Sequence, residues 1–191
     1  MAMINVSFET TPNPHSMKYV ISQQISEESC DFKTIQDAER SPLAKKLFGF
    51  PWADSIFLGT DFLTVTKQDW VDWDIIATPL ANLIQEHLEN GEPVLVELAE
   101  KISSSSADLE INENDTSVVQ QIKTIIKNEI KPAVAMDGGD IQFVKYENNI
   151  VYIYMLGACA GCPSSTMTLK QGIETRLVDA IPEIKEVISL N

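Results

Sequence analysis

Cysteine is scarce in this chain, with three in 191 residues. A disulfide framework in a small secreted protein wants an even number. A reducing compartment, with a metal or redox role for any close pair, suits the count better. Long apolar runs are absent. No stretch approaches the roughly 18 residues that a membrane-spanning helix needs, so no membrane partner is expected. The opening stretch, MAMINVSFET, lacks the basic-then-apolar pattern of a secretory signal and the Arg-rich, acid-poor pattern of an organelle presequence. The simplest expectation is a cytoplasmic, bacterial protein, with a processed organellar form as the alternative. Positive charge is also short. The 14 Lys and Arg face 28 Asp and Glu, for a net charge of −14. Affinity for nucleic acid rests on Lys and Arg neutralising phosphates, so no nucleic-acid partner is expected.

What is present reads as an ordinary globular protein, 44% hydrophobic and 22% charged. The clearest break is AEKISSSSADLEINENDTS, Ala99 to Ser117. Four consecutive serines and scattered acids offer few apolar anchors, and such a segment does not bury enough to offset its ordering entropy. The expectation is two small domains, 1–98 and 117–191, joined by a flexible acidic, Ser-rich linker over 99–116. The charge divides unevenly, at −9, −4 and −1 for the three parts in order.

In the second part, Val118, Val119, Ile122, Ile125, Ile126 and Ile130 fall at helical spacing. Ser117 is a good N-cap residue, and Lys131-Pro132 predicts a kink or an end. Gly138 and Gly139 in DGGD supply a tight turn. IQFVKY and IVYIYML are strand-like runs joined through ENN, a hairpin signal. Pro163 suits the first turn of a second helix carrying Leu169, Ile173, Leu177, Ala180 and Ile181. Pro182 stops that helix, and IKEVISL is a final strand. The order is α-β-β-α-β. The first part reads ββαββα. Its strands are INVSFET and MKYVIS, and a short helix capped by Ser41 with Pro42 at its first position follows. A hairpin turns near Gly59-Thr60-Asp61. A longer helix carries Ile76, Leu80, Leu83, Ile84, His87 and Leu88, with Pro79 as a kink or late start. The fold class is α+β.

Two of the three cysteines, Cys159 and Cys162, form a C-x-x-C between a strand and a helix, within MLGACAGCPSSTMTLKQGI. Orphan N–H groups and the positive end of the helix dipole point at this spot, so thiolates there are expected to be stabilised, with lowered pKa. Gly157 and Gly161 let the backbone bend around an ion or cluster. Three readings compete. A structural zinc site wants four Cys or His ligands, and the other donors of those types, Cys30, His15 and His87, lie in the other part without paired spacing. An intermolecular zinc clip stays open. A dithiol–disulfide oxidoreductase also places C-x-x-C after a strand at a helix start, but too little chain follows for a thioredoxin sheet. An iron–sulfur cluster takes four thiolates. One chain offers two close ones and two chains offer four, which suggests a cluster held between two copies. Such a cluster is exposed and easily released, which suits a carrier better than an enzyme.

The stretch MDGGDIQFVKYENNIVYIYMLGACAGCPSSTMTLKQGIETRLVDAIPEIKEVISL resembles the C-terminal domain of the NifU/Nfu family, over roughly residues 118–191. G-x-C-x-x-C-P-S-S is its specific core. TPNPHSMKYV and SPLAKKLFGFPWADSIFLGTDFLTVTKQDW resemble the Nfu N-terminal domain. The resemblance implies a scaffold or carrier that holds a 4Fe–4S cluster, with 2Fe–2S as an option, at a dimer interface. It would receive the cluster from an upstream scaffold and pass it to apo-proteins. Carried across, Cys159 and Cys162 are the ligands, and no catalytic residue is implied. The remaining candidates have plainer readings. Cys30 is a lone packing residue. Asp137 and Asp140 serve a turn, and Ser164, Ser165 and Thr166 cap a helix. Trp52, Trp70 and Trp73 pack in or near a core, and His15 and His87 are incidental.

Overall fold

In the computed structural model, residues 4–96, 109, 115–160 and 163–190 are described, with only the helical backbone described for 163–166. Among these residues the strands form two sheets, each with its own hydrophobic core. The two-domain α+β expectation holds.

The N-terminal sheet has five antiparallel strands in the order β1-β2-β5-β4-β3. They are β1 Val6–Thr10, β2 Ser16–Ile21, β3 Cys30–Phe32, β4 Ala53–Leu58 and β5 Phe62–Lys67. Helices α1, Pro42–Phe48, and α2, Trp73–Glu89, belong to the same domain. Ser41 caps α1 as its sequence suggests, its hydroxyl accepting from Ala44 N at 3.0 Å with Pro42 in the first turn. The ββαββα reading lacks β3, which has only three residues and so shows no alternation to detect. Helix α2 begins at Trp73 and runs through Pro79, so the late start does not occur.

Strand β5 is the centre of this sheet and is buried on both faces. Met17, Tyr19, Ile56, Leu58, Leu63 and Val65 point into the domain's own core. Their alternates Phe57, Phe62 and Thr64 are also buried, yet lie outside that core.

The C-terminal domain follows the α-β-β-α-β order. Helix α3, Ser117–Ile125, widens to π-helical turns over Ile126–Ile130 and continues as α4, Lys131–Met136. The helix therefore does not end at Pro132. In α geometry the proline ring would press on the carbonyl four residues earlier, and the wider turns move that carbonyl away. The N-cap is Thr116 rather than Ser117, with its hydroxyl accepting from Val119 N at 3.3 Å. Strands β6, Gly139–Glu147, and β7, Ile150–Gly157, form an antiparallel hairpin. Asn148 and Asn149 turn it with φ of 53° and 66°, the left-handed region that asparagine tolerates. Helix α5, Pro163–Ala180, then returns the chain so that β8, Glu186–Ser189, pairs parallel to β7.

Most of the expected linker, 99–116, lies outside the described residues. Of the three described within it, Leu109 is buried in the C-terminal core, Asp115 pairs with Lys123 at 2.8 Å, and Thr116 is the cap.

Candidate functional site

The site forms where β7 ends. Its last residue, Gly157, has φ of 63°, a conformation that turns the chain sharply and that side chains with a Cβ adopt at a cost. Ala158 and Cys159 follow in a turn, and Ala158 N donates to Gly138 O at 3.2 Å. The cysteine loop is thus tied to the turn preceding β6. Gly139 sits beside it, and a Cβ there would run into Cys159 Sγ and Leu156 O. The glycine pair of DGGD therefore divides its work. Gly138 makes the turn with φ of 80°, while Gly139 leaves room for the sulfur. Sequence reasoning assigned both to the turn, because nothing local distinguishes a glycine needed for conformation from one needed for space.

Cys159 is buried, with 4% of its surface exposed, and packs with the C-terminal core. It lines a cavity of about 460 Å³ together with Pro12, Asp137, Ala158, Thr168 and Leu169. The expected lowering of its pKa is reversed. Burial, and secondarily the carboxylates of Asp137 and Asp140, push the thiol up to about 12. The sequence reading counted the helix N-terminus and left out desolvation, which here is the larger effect. Asp140 is itself buried and bonds Lys131 Nζ at 2.8 Å, so the two aspartates shape the surroundings of the thiol as well as the turn. Cys162 and Gly161 lie outside the described residues, as do the side chains of Ser164, Ser165 and Thr166.

The other candidates stand apart from this loop. Cys30 is buried in the N-terminal core, where Arg40 Nη2 bonds its sulfur at 2.6 Å. Burial raises its thiol to about 11. Trp52 is buried, Trp70 is exposed, and Trp73 Nε1 donates to Pro14 O at 3.0 Å. His15 Nδ1 lies 3.0 Å from Asp69. His87 has more structure than expected. Its side chain is fully buried, and Nε2 donates to Pro93 O at 3.2 Å. Among the described residues, no group of three or more His, Cys, Asp and Glu is placed to hold a metal ion, and no helix is long and apolar enough to cross a membrane.

These features define a two-domain α+β protein with a glycine-framed cysteine loop between a strand and a helix. Residues 122–188 match the NifU-like domain, and residues 6–91 match the scaffold protein Nfu/NifU N terminal domain. The chain belongs to the Nfu/NifU-like family. It is 37% identical over 185 residues to the Arabidopsis thaliana protein named NifU-like protein 4, mitochondrial, covering 95% of this chain and 64% of that one. It is 38% identical over 184 residues to the NFU1 iron-sulfur cluster scaffold homolog, mitochondrial, of Drosophila ananassae, covering 95% and 63%. A NifU-like protein of Schizosaccharomyces pombe is 37% identical over 187 residues, covering 95% and 71%. The chain spans a little under two thirds of the length of the first two. Their names correct the cytoplasmic expectation, since both are called mitochondrial. The cytoplasmic expectation rests on the absence of a presequence pattern in MAMINVSFET, and that absence does not fix a compartment.

Proposed function

We propose that this protein is an iron–sulfur cluster scaffold and carrier, in a mitochondrial setting like that of its named relatives. Its cargo is a 4Fe–4S cluster bridged between two chains through Cys159 and Cys162 of each. The cluster arrives from an upstream scaffold and leaves to apo-proteins by thiolate exchange, without turnover of a substrate. The observation that carries this reading is the position of Cys159. Its sulfur sits at the end of β7, in a niche kept open by Gly139, within the segment that matches the NifU-like domain. Two thiols per chain leave a four-thiolate cluster incomplete, and a second copy supplies the other two. A buried thiol with a raised pKa is a poor attacking nucleophile, which weighs against a dithiol–disulfide oxidoreductase. It still suits a ligand, because a bound cluster replaces the proton.

The test is substitution followed by anaerobic reconstitution. Cys159→Ser or Cys162→Ser should abolish the visible iron–sulfur absorption and the bound iron while circular dichroism stays unchanged. Cys30→Ser should leave both intact. Iron retained by Cys162→Ser and lost by Cys30→Ser would overturn the assignment. A colourless chain that binds zinc would move the reading to an intermolecular zinc clip.

A further inference from the structure

The N-terminal sheet has a second buried face, and one cross-strand row explains what covers it. Register places Lys18 opposite Thr64, Thr64 opposite Phe57, and Phe57 opposite Asp31. These four residues form a line across β2, β5, β4 and β3. Every one of them meets the C-terminal domain beside the cysteine loop. Lys18 Nζ donates to Met136 O at 3.3 Å. Thr64 Oγ1 donates to Gly138 O at 2.6 Å. The Phe57 ring packs against Gly157 so closely that a Cβ there would lie 2.9 Å from the ring. Burial raises the pKa of the Asp31 carboxyl, and the Gly157 backbone beside it opposes that shift. Off the row, in the connection between β1 and β2, Asn13 Nδ2 donates to Ala158 O at 3.3 Å, and Pro12 lines the same cavity as Cys159. A sheet face open to water leaves such positions solvated. Here Phe57 and Thr64 are 1% exposed, and the backbone groups they meet belong to the segments that frame the thiol.

We propose that this row is a docking surface for the chain's own cysteine loop. The N-terminal domain clamps the backbone of residues 136–138 and 157–158 and shelters Cys159 until the clamp opens. The clamp stands on the contacts themselves. Its consequence, that a second chain reaches Cys159 for cluster bridging only after undocking, rests on the function proposed above.

The test uses the full-length chain without iron. Thr64→Val is nearly isosteric and removes the central donor, and Lys18→Ala removes the flanking one. Iodoacetamide labelling of Cys159, followed by peptide mass mapping, reads the shelter. Hydrogen exchange at Leu63 and Val65 reads the integrity of β5. The double variant should label roughly tenfold faster or more, the factor expected when a buried hydrogen bond is lost, with β5 protection unchanged. An unchanged labelling rate would overturn the clamp. Faster labelling accompanied by lost β5 protection would overturn it too, since general unfolding would then account for the exposure. Neither readout involves a cluster, so failure here is distinct from failure of the scaffold assignment.

Discussion

At the scale of single residues, Gly139 shows how a site depends on a missing atom. Gly139→Ala places a methyl group against Cys159 Sγ and Leu156 O, with no flexible neighbour to yield on the carbonyl side. Overpacking of this kind costs about 1–3 kcal/mol. Urea denaturation of the variant should show a loss in that range, and iron retained per chain after reconstitution should fall. His87 gives a different residue-scale prediction. Burial lowers its pKa. The hydrogen bond to Pro93 O and, to a lesser degree, the Glu92 carboxylate 3.2 Å from Nδ1 oppose this, but burial prevails. A histidine depressed in the folded state contributes stability above its ordinary value of about 6.5, lost as pH falls from there through the folded value. Stability should therefore drop between pH 7.5 and pH 5.5. His87→Gln keeps a donor for Pro93 O and should flatten that part of the profile, measured by denaturation midpoints. An equally steep profile in the variant would assign the drop to other groups.

At the scale of elements, what was legible followed from periodicity. Ile122, Ile126 and Ile130 on the first C-terminal helix, and Ile173 and Leu177 on α5, recur at helical spacing and all reach the core. The Asn pair announced its hairpin because few residues tolerate positive φ. What was missed had no local signature. Strand β3 is too short to alternate, and Pro132 signals a kink or an end without specifying that π-helical turns will absorb it. The burial of Phe57 and Thr64 depends on a domain distant in sequence. At the site, the position of Cys159 between strand and helix was legible. Its raised pKa and the space left by Gly139 were not, because both arise from packing. The pair joining Asp115 to Lys123 was equally invisible, since it lies across the expected linker boundary. Lys123 is 5% exposed and also lies 5.8 Å from the Phe143 ring centroid. Removing the carboxylate takes a counter-ion away from a buried ammonium, and breaking a buried pair from one side costs about 3 kcal/mol. Asp115→Ala should lower C-terminal domain stability by that order, and adding Lys123→Met should recover most of it. Thermal unfolding of the two variants checks this. A double variant no more stable than the single would show that the charge is not the cause.

At the scale of the whole molecule, the two domains differ in character. The N-terminal one is the larger and more acidic, and it presents a sheet face to the other. The C-terminal one is nearly neutral and carries the C-x-x-C pair. On the proposed bridging arrangement, with two ligands per chain, the cargo would supply the free energy of association, because it would bind only the paired state. Chelation, or transfer to an apo-protein, should shift the population back toward single chains. Native mass spectrometry of the anaerobically reconstituted protein tests the central claim most directly. The account predicts a species with the mass of two chains and one 4Fe–4S cluster, roughly two iron atoms per chain from the four-thiolate requirement, which reverts to single chains when the cluster is removed. A cluster-loaded species with the mass of one chain would contradict it.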